Sequence, residues 1–501
     1  MKRLIALLLV AAMCVGLLCA CAQASPQKAE TPNSENGSAP QKTEEPAHLR
    51  IVMHGDAGAR NTEFYENEFA AKILEELNIT MEIEYVPWGQ QAQVETMLAA
   101  GEPICYMAMV DQQPGWIQKG YYTPFDETKI NELMPNYLKA RDGIGYECVS
   151  MNGEILALPV GSMTYGSQQC GIMVRNDLLN AVGLDYTDIK SPADIEAAAA
   201  AVKEKFPDIT VFPGGTKCWL TTFAPDEAIS LGYLGYDMIV CDDESKPDSD
   251  QIVSWYESEA FANFCRGRRE WYLKGWITEN DIVDSKYFNS QWNAGNSLFR
   301  YGETLRLYDH ALAGVEGADV RYINYCDYSI ITRNYDWGWA VSPAAADNIE
   351  DYMRFFDWLY ASEENYLFCL YGVEGKDWER DENGAIVKLT PDLFFYEWQH
   401  GASLYRDFSA YDPDEVAEYL AFDEKSIVSK SVGFIFDNSA VQNELAMINA
   451  VVTEYVKPFE MGVKDYDSEW PETLQKLKDA GLDTYVAEYQ RQFSEWWAAN
   501  K

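Results

Sequence analysis

The chain has 501 residues, 47% of them hydrophobic, enough to bury the cores of two or more domains and too many for a disordered polymer. Its 80 acidic residues against 39 basic ones give a formal net charge of −41, a field that repels nucleic-acid phosphates and anionic membrane surfaces and leaves neutral or cationic ligands open. The four histidines, His48, His54, His310 and His400, form no HExxH or paired spacing, so a zinc hydrolase has no support and nothing calls for a metal or cofactor.

The opening MKRLIALLLVAAMCVGLLCACAQ has a basic start and then an apolar run ending near Leu18, the pattern of an export signal and too short for a stable membrane span. Leu18-Cys19-Ala20-Cys21 resembles the lipobox of bacterial lipoproteins, which implies cleavage after Ala20 and lipidation of Cys21. Residues 1–20 are then the signal and 21–47, rich in Pro, Ser, Glu and Gln, a flexible lipid-anchored tether. Such an anchor places the protein on the outer face of the cell membrane, working in water.

Folding signals begin at LRIVM (49–53), a short buried-strand run, followed by Phe64, Phe69, Ile73, Leu74 and Leu77 on one helical face and the alternating strand MEIEYV (81–86). Strand, helix and strand over this length predict a βαβ unit with parallel strands. The loop HGDAGARN (54–61) then falls at the carboxyl end of the first strand, the edge where open α/β sheets bind ligands. A second α/β start follows at CGIMVRNDLLNAVGL (170–184), with a helix at SPADIEAAAAAVKEKF (191–206) capped by Ser191 and Pro192, and a returning strand DITVF (208–212). NYDWGWAVS (334–342) reads as a strand and 344–372 as a strongly helical stretch. ERDENGAIVKL (379–389) reads as a hairpin turning at Asn383-Gly384, and two amphipathic helices, about 438–457 and 471–499, close the chain.

Cys105, Cys148, Cys170, Cys218, Cys241, Cys265, Cys326 and Cys369 are scattered without a CxxC pair, which favours buried free thiols. ERDENG resembles the start of an EF-hand loop, but Thr390 stands where the twelfth-position Glu is required. CDDESKPDSD (241–250) reads as an acidic surface loop rather than a calcium site, and no GxSxG, P-loop or Cys–His nucleophile signature occurs.

The order of several stretches resembles the family 1 extracellular solute-binding lipoproteins of bacterial ABC importers, in their large Firmicutes-type branch. These stretches are EIEYVPWGQQAQVETMLAAGE (82–102), NGEILALPVG (152–161), GIMVRNDLLNAVGL (171–184), NAGNSLFRYGET (293–304), DYMRFFDWLYASEENYLFCLYGVEGKDW (351–378) and LDTYVAEYQRQFSEWW (482–497). One departure is Pro103-Ile104-Cys105 where the family pattern continues with Pro-Asp-Ile. The resemblance implies an α/β, two-lobed, periplasmic-binding-protein-like (type II) fold with a hinge and an interlobe ligand cleft. It implies a first lobe of 48–165 plus 340–430 and a second of 166–339 plus 431–501, with crossings near Tyr165–Gly171, Tyr335–Val341 and Gly433–Asn438. It also implies a monomer that captures a sugar or oligosaccharide, is no enzyme itself, and delivers to ABC permease subunits in the membrane.

A sugar offers CH-rich faces to aromatic rings and hydroxyl rims to carboxylates and amides. The 32 Tyr, 21 Phe and 15 Trp supply many rings, most of which must be core. The candidate ligand-binding residues are His54 and Asp56 after the first strand, Trp88 after the second, Trp116 in PGWIQ, Tyr165 at the first crossing and Trp219 after a Gly-rich turn. In the later part they are Tyr301 and Glu303 beyond GNSLF, Trp337 and Trp339 on the returning strand, and Tyr371 beside a glycine. Each has a plainer reading as packing, capping or a salt bridge. Trp337 and Trp339 alternate, so at most one of them faces the cleft. A peptide or cationic solute, a secreted glycoside hydrolase and a surface glycan adhesin remain alternatives, since two spaced carboxylates suffice for hydrolysis.

Overall fold

The computed structural model describes residues 45–501 apart from 161–170, 212–230, 278–286, 303–309, 325–329, 332–337 and a few shorter stretches. The first strand, β1, spans Ala47–His54 and pairs in parallel with β2, Ile79–Val86, from Ala47↔Ile79 to His54↔Val86. β3, Cys105–Ala108, lies parallel on its other side through Ile51↔Cys105. The expected βαβ unit is therefore present. Strand Gly338–Val341 runs antiparallel to β3 with Gly338↔Ala108, and antiparallel to Leu158–Pro159 with Gly338↔Pro159. The order of this five-stranded sheet brings His54, Val86, Ala108, Pro159 and Gly338 to one edge.

The helix between β1 and β2 explains an irregular sequence spacing. Phe64 and Phe69 are five residues apart, one more than an α-helical face allows, yet both are fully buried. They share a face because Tyr65–Phe69 forms a π-helical turn between α-helical Ala59–Phe64 and Ala70–Leu77. Ile73 continues the buried face, whereas Leu74, expected on it, is 44% exposed.

Other elements depart from expectation at identifiable residues. The helical stretch 344–372 divides into helices Ile349–Leu359 and Glu363–Tyr371, because Ser362 turns extended and its side chain accepts the Asn365 N–H as a new cap. The tail helix expected at 471–499 is two helices, Tyr466–Asp479 and Leu482–Asn500, separated at Gly481 with φ +101°. A Cβ there would also meet Glu444 at 2.6 Å. Ser191 and Pro192 do start helix Pro192–Lys205, with the serine side chain accepting the Asp194 N–H. The hairpin Trp378–Arg380 with Ile386–Lys388 forms, but Asp381 N–H bonds to Ala385 O, which encloses three loop residues rather than two. Asn383 itself lies outside the described residues.

In the second half of the chain, strand Gly171–Arg175 lies between Phe299–Gly302 and Val320–Asn324, antiparallel to both. DITVF contributes only an isolated parallel bridge, Thr210↔Ser297, among the described residues, so the second start does not repeat the βαβ geometry of the first.

Two separate cores give the molecule its two-lobed α/β form. One gathers Leu49, Ile51, Phe64, Phe69, Leu158, Trp339, Phe355, Phe356 and Phe395, with a satellite around Val52, Tyr106 and Ala340 behind the sheet. The other gathers Ile172, Val174, Trp255, Phe261, Phe299, Phe459, Trp470, Tyr489 and Phe493. Trp339, which the expected boundary at 339/340 gives to the second lobe, packs in the first core. Near 434–436 successive side chains divide between the cores: Phe434 and Phe436 pack with the second and Ile435 against the satellite of the first.

Candidate functional site

At the carboxyl edge of the five-stranded sheet Val160 and Trp339 pack in the first core, whereas Ile172 and Ile323 pack in the second. Val160 precedes 161–170, and 332–337 precedes Gly338. At this edge the loop from His54 to Gly58 has an unusual backbone. Gly55 has φ +152°, and a Cβ on it would lie 2.4 Å from the Tyr396 ring. A Cβ on Gly58 would lie 2.1 Å from the Asp392 carboxylate. Both glycines are needed because another segment is pressed against the loop.

That segment is 392–399. Asp392 Oδ2 accepts the Arg60 N–H at 2.9 Å, which caps a helix whose own N-cap, Gly58, has no side chain. The Asp56 N–H donates to Tyr396 Oη at 3.4 Å, and Gln399 Nε2 donates to the His54 carbonyl at 2.7 Å. Tyr85 Oη sits 2.8 Å from Tyr65 Oη and donates to the Phe394 carbonyl. The Tyr85 ring meets Tyr396 edge-on with centroids 6.4 Å apart. The result is a fixed floor on which Tyr396 is half-buried and Asp56 exposed.

Charges hold the floor from below. The Arg60 guanidinium donates to both Asp377 oxygens at 2.8 and 2.9 Å and to Glu68 at 3.0 and 3.2 Å, and lies 5.7 Å from the Phe64 centroid. The Asp377 hydrogen bond is the largest influence on Arg60 and raises its pKa. Burial opposes the charge of Glu68, yet hydrogen bonds from Arg60 and Lys376 bring its carboxyl down to about 2. Beneath the loop His400 is fully buried, 4.4 Å from the Phe395 ring and 5.0 Å from Trp339. Desolvation lowers its pKa to about 3, and burial lowers His54 as well.

Of the candidates read from the sequence, the structure brings His54 and Asp56 together at this edge, with the His54 ring buried and Asp56 open. Trp339 takes the core place expected for one of the alternating pair: it is 2% exposed, its indole N–H donates to the Gln399 carbonyl at 3.2 Å, and its ring stacks on Phe356 at 5.5 Å. Trp116 is half-buried on the short helix Pro114–Gln118, against Tyr106 at 5.8 Å and Tyr121 at 6.3 Å. Tyr371 packs toward the hairpin, with Trp378 at 6.4 Å and the Lys388 ammonium 5.4 Å over its ring. Tyr301 stands in strand Phe299–Gly302 opposite Ile172. Trp88, Tyr165, Trp219, Glu303, Trp337 and Cys21 lie outside the described residues.

Sequence reasoning missed segment 392–399. The available signal was the pair Gly55 and Gly58, two places after the first strand where the backbone carries no Cβ.

The stretch 241–250, expected to be a surface loop, begins inside strand Val240–Asp243, where Cys241 and Asp243 are buried, and three of its carbonyls meet a cation from within the chain. The buried Lys430 ammonium donates to the carbonyls of Asp243 at 3.0 Å, Lys246 at 3.1 Å and Ser249 at 2.6 Å. No group of three or more His, Cys, Asp or Glu with metal-binding geometry occurs among the described residues. Cys105, Cys265 and Cys369 are buried free thiols, and Cys241 is buried as well. Among the described residues no helix is long and apolar enough to cross a membrane.

Comparison with known proteins matches residues 58–263 to the family of bacterial extracellular solute-binding proteins and residues 430–498 to a domain of unknown function, DUF3502. A carbohydrate ABC transporter substrate-binding protein of Streptococcus pneumoniae is 24% identical over 459 residues, covering 89% of this chain and 90% of that protein. The crystal structure of the N-glycan transport solute binding protein NgtS from Streptococcus pneumoniae superposes with a TM-score of 0.76 at 21% identity, covering 91% of this chain and all of that one. Its complex with Man5GlcNAc superposes with a TM-score of 0.68 at 22% identity, covering 91% and 99%.

Proposed function

We propose that this chain, which carries a bacterial extracellular solute-binding domain over residues 58–263, is the lipid-anchored substrate-binding component of an ABC importer and captures a neutral oligosaccharide between its two lobes. The observation that carries the reading is the convergence of His54, Val86, Ala108, Pro159 and Gly338 at one sheet edge, with exposed Asp56 and half-buried Tyr396 beside them. A ligand that touches both lobes gains contacts in the closed form only, and so shifts the open–closed equilibrium toward it. The three crossings near Tyr165–Gly171, Tyr335–Val341 and Gly433–Asn438 are the proposed hinge, and the division of 434–436 between two cores supports the third.

A sugar is favoured over a peptide or cationic solute because an aromatic ring flanks Asp56. The relative in Streptococcus pneumoniae is a carbohydrate transporter component, and the NgtS complexes hold Man1GlcNAc and Man5GlcNAc. The protein itself is proposed to carry out no chemistry on the glycan. It acts as a monomer beside permease subunits, held on the outer face of the membrane by lipid on Cys21.

Thermal denaturation with a panel of oligosaccharides and peptides tests the reading, since ligand bound only to the folded state raises the melting point. An oligosaccharide should raise it and be recovered unchanged from the denatured complex. A rise with peptides alone, or recovery of cleaved glycan, would overturn the proposal.

A further inference from the structure

Segment 392–399 holds the loop after β1 at three positions, 392, 396 and 399, through Asp392 on Arg60 N, Tyr396 on Gly55 and Gln399 on His54 O. Phe394, Phe395 and Gln399 are at most 1% exposed and pin the segment to the first core. Tyr396 differs from them. Its ring lies on the bare backbone of Gly55, its hydroxyl accepts the Asp56 N–H, and it stays half-buried at the edge where the strand ends converge. Phe394, Phe395 and Gln399 anchor the segment in the core, whereas the Tyr396 ring, edge-on to Tyr85 at 6.4 Å, remains half-buried beside the exposed Asp56. An aromatic face held rigidly beside an exposed carboxylate has the two parts a pyranose needs: a surface for its CH-rich face and an acceptor for hydroxyls on its rim.

We propose that Tyr396 and Asp56 form a pyranose subsite of the first lobe, with Gly55 as the residue whose missing side chain sets the tilt of the tyrosine ring. Tyr396 covers the apolar face of one sugar ring and Asp56 accepts hydrogen bonds from two of its hydroxyls. The inference rests on the oligosaccharide reading and adds to it a named pair of contact residues.

The test is calorimetric titration of the purified protein with Man1GlcNAc, Man5GlcNAc and kestose, alongside the melting point of each unliganded variant. With the tightest binder, Tyr396→Leu should weaken affinity about tenfold, the size of losing one well-placed aromatic contact, while unliganded melting stays near that of the wild type. Tyr396→Phe should recover most of the affinity, and Asp56→Asn should weaken it several-fold. If the wild type binds a glycan and Tyr396→Leu binds it equally well, the subsite is overturned and the oligosaccharide reading stands. If affinity falls only together with unliganded melting, the ring is structural and the subsite is again overturned. If the wild type takes up none of the three sugars, both fall.

Discussion

His400 places an imidazole between Trp339 and Phe395 with no exposure to water, and its pKa of about 3 follows from that desolvation. In the unfolded chain the ring takes up a proton near 6.5. Between about 6.5 and 3 the unfolded state therefore binds more protons, so stability falls as pH drops through that window, by up to about 1.4 kcal/mol per pH unit for one such group. His54, also lowered by burial, adds a slope of the same sign. Glu68 acts in a lower window: its stabilising charge is fully present above about 4.5 and is lost as pH falls toward about 2. Replacing the imidazole by a ring of similar shape, His400→Phe, should flatten the upper slope in denaturant titrations run from pH 7 to pH 4. An unchanged slope would mean that the buried imidazole is already protonated or does not titrate. None of this was legible beforehand, because burial of a histidine depends on partners from strand 338–341 and segment 392–399 that no local pattern connects.

At the scale of elements, helix starts follow from local signals, whereas a change of helix type shows only in the spacing of buried residues. Ser191-Pro192 starts its helix because both effects act within one turn. The Ser362-Glu363-Glu364 cap was equally local, but the aromatic run through it reads as one continuous face. The spacing of five between Phe64 and Phe69 was itself the signature of the π-helical turn. Such a turn amounts to one residue inserted into an α-helix, which gives a contrast to measure. Deleting exposed Glu66 from within it should leave Phe64 and Phe69 four apart on a regular face and cost about 1–2 kcal/mol, whereas deleting exposed Glu75 rotates the end of the helix against β2 and should cost over about 3 kcal/mol. Equal losses in chemical denaturation would contradict this account of the turn. The contacts of 392–399 with the β1 loop join residues more than 330 apart, so the floor of the site could be anticipated only from its glycines.

For the whole molecule, the net charge of −41 and the two cores agree with a trap for neutral solutes that works outside the cell. The α/β class followed from the order of strand and helix signals and the two-lobed fold from the family resemblance, while the sheet edge proposed to hold ligand was reachable only in outline, because segment 392–399 shares no sequence neighbourhood with the loop it meets. The proposed anchor makes a separate prediction: in a membrane fractionation, Cys21→Ser should move the protein into the soluble fraction, and continued sedimentation with membranes would show the anchor to be misread. The most direct measurement of the central proposal is isothermal titration calorimetry of the purified protein with neutral oligosaccharides. The expected result is a saturable heat corresponding to one glycan per chain, with the glycan afterwards intact. The absence of binding heat with every oligosaccharide, or a heat that continues as the glycan is cleaved, would contradict it.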